Sequence, residues 1–197
     1  MNLVGMQESF NDYPGEICII LFTKYCNLDC VGCYNKRRVL ESENLPLPYV
    51  HNYLRESAPL ITHVTISGGE PTMETGLLDF LGELHSEGFG IKLDTNGTNP
   101  TMLRKALPFL SVVAMDIKED ITSYARYKRV CRELTQEEFI DINISAHILS
   151  TWNKEGKGKT IFRTTLFDEE VDTERIKHSI RNLSCSDYMV QDKVKFG

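Results

Sequence analysis

The sequence predicts an α/β fold, a partial (β/α)6 barrel with parallel strands that is open on one side. Three observations predict it. Short, continuous apolar runs recur along the chain, as they do in strands buried on both faces. Between them lie segments whose apolar residues repeat at helical spacing, which is the alternation of βαβ units. Six such units of about 30 residues fit a chain of 197 residues, whereas a closed eightfold barrel needs roughly 250.

The first strand is predicted from Ile17 to Phe22, the second from His63 to Ile66, and the third from Ile91 to Asp94. Ser111 to Ile117, Thr160 to Leu166 and Tyr188 to Gln191 complete the set. Leu77, Leu78, Phe80, Leu81 and Leu84 form a helical stripe that stops at Gly88. A short helix from Thr101 to Leu107 ends before Pro108. Thr135 to Leu149 places Phe139, Ile142 and Ala146 on one side of a further helix. Val171 to Leu183 carries Val171, Ile176, Ile180 and Leu183 at near-helical spacing. With no linker composition and no internal repeat, residues 1–197 read as a single domain.

Composition excludes several classes of function. Apolar residues make up 41% and charged residues 25%, the balance of an ordinary globular protein. No apolar stretch approaches the ~20 residues of a membrane span, and the first residues lack the pattern of a secretory signal. A cytoplasmic address with no membrane partner is the expectation. The formal net charge of −6 argues against a nucleic-acid partner, which requires a clustered basic face. The basic stretches Lys36 to Arg38 and Arg126 to Arg132 read as solvated surface.

Six cysteines stand at 18, 26, 30, 33, 131 and 185. Cys26, Cys30 and Cys33 lie within eight residues, directly after the first predicted strand. In a reducing compartment, thiols at this density point to metal ligation rather than disulfides. Three thiolates on one loop suit three irons of a cubane cluster, and Gly32 lets the backbone turn tightly beside it. Structural zinc is the alternative, but zinc takes four protein ligands. The nearest candidates are His51 and His63, and His63 opens a buried strand. Cys18, Cys131 and Cys185 have no ligand spacing and are expected to pack in the core.

Ser67-Gly68-Gly69-Glu70-Pro71 follows the second strand. Glycines at the carboxyl end of a parallel strand expose backbone groups at the face where such folds bind ligands. A plain strand-to-helix turn entered through Pro71 explains the same residues.

The cysteine loop and this turn, in this order, resemble the radical S-adenosylmethionine superfamily. The resemblance implies a 4Fe–4S cluster on Cys26, Cys30 and Cys33, with one iron left for S-adenosylmethionine. Ser67, Gly68, Gly69 and Glu70 then fall at the turn that contacts the methionine amino group. Asn11 to Gly15, Leu93 to Gly97 and Ala114 to Lys118 resemble segments of activating enzymes for glycyl-radical enzymes. Cys33 to Lys36, Phe162 to Thr165 and Tyr188 to Gln191 are similar to activases of the anaerobic ribonucleoside-triphosphate reductase.

By that resemblance, Asp94 and Asp116 lie near the cofactor, in some members with a monovalent cation, and Lys118 neutralises the methionine carboxylate. The alternative for Asp94 and Lys118 is a structural ion pair. Asn96-Gly97 also reads as a plain turn, and the direction of Arg163 is open. Gly32 stands where many members carry an aromatic residue that shields the adenine, and Tyr34 is placed to take that part. The implied reaction is reductive cleavage of S-adenosylmethionine, followed by hydrogen abstraction from a glycine of the reductase. The electron comes from a donor such as flavodoxin or ferredoxin. A small-molecule substrate of the 7-deazapurine type and another glycyl-radical enzyme are the alternatives. No acid–base dyad is required, because the cofactor carries the chemistry.

Overall fold

The computed structural model describes residues 1–33, 35, 42–166 and 171–192. They form two compact units. One comprises Met1–Cys26, Asn35–Asp94 and Lys105–Val112, and the other Asn27–Tyr34, Thr95–Arg104 and Val113–Gly197. The helix Pro100–Ala106 (α3) joins segments assigned to each. The strand order is sequential, β1 to β7, in one mixed sheet, with β1 and β7 as its ends. This is the α/β partial barrel expected from the sequence.

In the first unit, β1 (Leu3–Tyr13) pairs antiparallel with β2 (Glu16–Thr23). β2 pairs parallel with β3 (His63–Gly68), and β3 with β4 (Gly90–Thr95). Ile19, Leu21, Ile66, Ile91 and Leu93 are fully buried, as the continuous apolar runs require. α1 (Leu47–Ser57) buries Val50 and Leu54. α2 (Leu77–Ser86) buries Leu77, Phe80, Leu81 and Leu84, the stripe read from the sequence.

Two corrections apply here. The sheet has seven strands rather than six, and its first pair is antiparallel. β1 escapes a sequence reading because its register shifts between Leu3 and Gly5 and again between Ser9 and Tyr13. Bulges of that kind erase the alternation that marks a half-buried strand.

In the second unit, β5 (Val112–Asp116) is followed by α4 (Tyr124–Val130) and α5 (Gln136–Lys154). β6 (Lys159–Leu166) pairs parallel with β7 (Asp187–Asp192), with α6 (Thr173–Ser179) between them in sequence. Among the described residues, no helix is long and apolar enough to cross a membrane. α5 starts at a capping box: Glu138 N–H donates to Thr135 Oγ1 at 3.1 Å, and Thr135 N–H donates to Glu138 Oε2 at 2.9 Å. Thr135→Ala should cost about 1 kcal/mol, lowering Tm by about 3 °C in a thermal melt followed by circular dichroism. An unchanged Tm would show that the cap is dispensable.

Candidate functional site

The carboxyl end of β3 is stitched to the end of β2 and the residues beyond it. Gly69 N–H donates to Thr23 O at 2.9 Å, and Glu70 N–H donates to Tyr25 O at 2.6 Å. Thr23 Oγ1 donates to Ser67 O at 3.1 Å. The two glycines make this approach possible. Gly68 has φ +109°, and a Cβ there would lie 2.3 Å from Thr23 N. A Cβ on Gly69 would lie 2.2 Å from Tyr25 O and 3.2 Å from Cys26 N. Backbone atoms cannot retreat as a flexible side chain can, so positions 68 and 69, where the turn meets the start of the cysteine loop, admit only glycine. Asn35 Nδ2 donates to Gly68 O at 2.9 Å.

Glu70 is wholly buried, and its Oε1 accepts from Thr72 N–H at 3.1 Å and Thr72 Oγ1 at 2.6 Å. It therefore caps the 3-10 turn Pro71–Met73. Beside it, Ser67 Oγ donates to Asp94 Oδ2 at 3.0 Å, and Lys92 Nζ is bonded to Asp94 Oδ1. Lys92 is only 4% exposed, an unusual position for an ammonium, and Asp94 answers its charge from the same face of β4. Asp94 thus has Lys92 as an ion-pair partner within its own unit. Lys92 was missed in the sequence, although a lysine inside an apolar strand, two residues from an aspartate, is itself a signal.

The second unit holds most of the cysteine loop. Cys26 and Cys33 are exposed and Cys30 is half-buried. Gly32 turns the chain with φ +68°, and Cys33 N–H donates to Cys30 O at 3.3 Å. Asn27 anchors the loop. Its Nδ2 donates to Thr98 Oγ1 at 3.0 Å and Glu138 Oε1 at 2.7 Å, and its Oδ1 accepts from Asn96 Nδ2 at 3.0 Å. Asn96 also accepts from Thr98 N–H at 2.9 Å, so Asn96-Gly97 is both a turn and a support for the loop.

Cys131 is buried, as expected, but its sulfur lies 3.4 Å from that of Cys30. Cys18 is buried, whereas Cys185 is only half-buried and is not a core residue. The bond from Cys131 draws the Cys30 thiol down to about 7, against burial and with help from Lys118.

At the end of β5, Lys118 Nζ donates to Asp116 Oδ2 at 2.9 Å and Arg163 Nε donates to Asp116 Oδ1 at 2.7 Å. Arg163 therefore faces Asp116. Burial opposes ionisation of Asp116, but the Arg163 and Lys118 charges outweigh it and hold the carboxyl well below the usual range. Burial likewise opposes the Lys118 charge, and Asp116, followed by the sulfurs of Cys30 and Cys131, holds its ammonium above the ordinary lysine range. Tyr34 and Lys36 to Arg38 lie outside the described residues.

Among the described residues, no group of three His, Cys, Asp or Glu side chains converges into a metal cage. The donor chemistry nevertheless fits an iron–sulfur cluster. Three thiols come from one loop, two are open to solvent, and the third is drawn toward its thiolate.

Known proteins agree. Residues 20–178 match the model of the Radical SAM superfamily. A Methanocaldococcus jannaschii protein, provisionally named as a glycyl-radical enzyme activating enzyme, is 28% identical over 91% of this chain and 74% of its own length. A Pyrococcus horikoshii protein, provisionally named as a GTP 3',8-cyclase, is 29% identical over 56% of this chain, which spans only 36% of that relative. The crystal structure of QueE from Escherichia coli is similar in fold, with TM-score 0.59 at 14% identity, covering 97% of this chain and 84% of that one. A family match across most of the chain, with the cysteine loop and the Gly68–Gly69 turn inside it, establishes that the chain belongs to the radical SAM superfamily.

Proposed function

We propose that this chain is a radical S-adenosylmethionine activase that generates a glycyl radical on anaerobic ribonucleoside-triphosphate reductase. Superfamily membership implies a 4Fe–4S cluster and S-adenosylmethionine. When bound, they supply one-electron chemistry that ends in removal of a hydrogen atom from the substrate. The observation that carries the activase reading is the alignment with the archaeal activating-enzyme relative over most of both chains.

In this reading Cys26, Cys30 and Cys33 hold the cluster. Ser67, Gly68, Gly69 and Glu70 form the cradle for the methionine end of the cofactor. Gly68 and Gly69 bring that backbone against the start of the cluster loop, and the capped 3-10 turn keeps it rigid. Lys118, kept ionised by Asp116, meets the methionine carboxylate. Asp94 and Tyr34 complete the cofactor contacts, with Asp94 oriented by Ser67 and Lys92. A monovalent cation beside the aspartates, and flavodoxin or ferredoxin as electron donor, belong to the same reading.

The test mixes the reconstituted protein with the reductase, a low-potential reductant and S-adenosylmethionine under anaerobic conditions. A glycyl-radical doublet in the EPR spectrum is expected. Formation of 5′-deoxyadenosine without that doublet would reject this partner. It would favour the second reading, a small-molecule substrate, which draws its support from the cyclase-named relative.

A further inference from the structure

We propose that Cys30 and Cys131 are a dithiol that a two-electron oxidant such as hydrogen peroxide closes to a disulfide in the cluster-free chain. Two backbone bonds flank the pair: Val31 N–H donates to Val130 O at 2.8 Å, and Arg132 N–H donates to Asp29 O at 3.2 Å. Cys30 and Cys131 therefore stand directly opposite each other in an isolated antiparallel bridge, as its non-hydrogen-bonded pair. Such pairs hold their Cα atoms about 4.5 Å apart, within the roughly 4.4–6.8 Å that a disulfide spans. The sulfurs already face each other at 3.4 Å. Closure to the bonded distance of about 2.05 Å needs side-chain movement and no change of backbone pairing.

Exposure fixes the order of events. Cys30 is half-buried and within reach of a small oxidant, whereas Cys131 is wholly buried. Cys30 sulfur attacks one peroxide oxygen, breaks the O–O bond and becomes a sulfenic acid, releasing water. Cys131 sulfur then attacks the Cys30 sulfur and expels the sulfenic oxygen as a second water. Both thiol protons leave in water, peroxide is reduced by two electrons, and the two thiols are oxidised by two. The disulfide removes one of the three ligands assigned to the cluster under the proposed function. It also shields Cys30 from irreversible oxidation to the sulfinic acid. The remaining ligands, Cys26 and Cys33, are exposed on the same loop, so the competing outcome is a disulfide within the loop.

The experiment uses full-length cluster-free protein treated with one equivalent of hydrogen peroxide. The protein is then alkylated under denaturing conditions and digested with trypsin without reduction. The expected major product joins the peptide Tyr25–Lys36 to Val130–Arg132, with fragmentation placing the bond on Cys30. Dithiothreitol should remove this product and restore iron and sulfide loading to that of untreated protein. Cys131→Ser should lack the product and recover less loading after the same cycle, because Cys30 proceeds to the sulfinic acid. Disulfides confined to Cys26, Cys30 and Cys33, with Cys131 recovered in alkylated form, would overturn the proposal. Equal recovery by wild type and Cys131→Ser would do the same. The wild-type peptide map decides the matter even where the variant does not fold. The peptide map needs no cluster, no S-adenosylmethionine and no partner protein, so its failure is distinct from failure of the activase reading.

Discussion

Gly69→Ala is expected to lose both stability and the capacity to hold iron and sulfide. The new methyl group would sit 2.2 Å from Tyr25 O, far inside contact distance, and in a tight 3.2 Å contact with Cys26 N. Relief requires the β3 turn and the Tyr25–Cys26 backbone to part. That separation strains or breaks the bonds from Gly69 N–H to Thr23 O and from Glu70 N–H to Tyr25 O. Overpacking of this kind costs on the order of 1–3 kcal/mol, and each lost bond adds about 1 kcal/mol. A total of about 3 kcal/mol lowers Tm by about 10 °C in a chain of this length. Cys26 is displaced together with Tyr25, so iron content after anaerobic reconstitution should fall more steeply than the folded fraction. Iron and sulfide per folded chain at the wild-type level would show that the turn does not position the cluster loop. Gly82→Ala is the natural control, since a Cβ there meets nothing closer than Phe109 Cε1 at 3.9 Å.

The parts of this molecule that were legible in the sequence are those whose physics is local. β2 and β3 read as strands because both faces are buried, and apolar residues fill Ile17–Phe22 in β2 and positions 64 and 66 in β3. The α2 stripe read clearly because one face meets the core at helical period. The cysteine loop and the Gly68–Gly69 turn stood out by residue type and spacing, but the cluster and cofactor expected there came from the family resemblance, since spacing by itself left zinc and a plain turn open. β1 was hidden by its bulges. The pairings around the site were hidden by distance along the chain. Arg163 finds Asp116 across 47 residues, and Cys131 finds Cys30 across 101. No periodicity reports such a meeting, because it depends on which strand ends the sheet order brings side by side. Lys92 is intermediate: its partner is two residues away, but the need for a partner follows only from its burial.

Asp116→Asn should destabilise the protein strongly at neutral pH and less in acid. Asp116 accepts from Arg163 and Lys118, whose side chains keep only 14% and 21% of their exposure, while its own keeps 22%. Removing the carboxylate leaves two cations close together with little water to screen them. Breaking a fully buried pair costs about 3–5 kcal/mol. The residual exposure here lowers the expected loss to about 2 kcal/mol. The sign of the pH dependence follows from the direction of the Asp116 shift. Its folded-state carboxyl titrates well below the unfolded one, because the Arg163 and Lys118 charges outweigh the opposing effect of burial. The stabilisation is therefore complete above the ordinary carboxylate range and is lost as pH falls toward the folded-state value. Asparagine does not titrate, so the variant lacks this component of acid sensitivity. Urea denaturation at neutral pH and again near pH 3 should show the gap in midpoints narrowing as wild type loses stability and the variant loses less. A gap of equal size at both pH values would mean that Asp116 acts through shape rather than charge. In that case Lys118 would not depend on Asp116 for its ionisation.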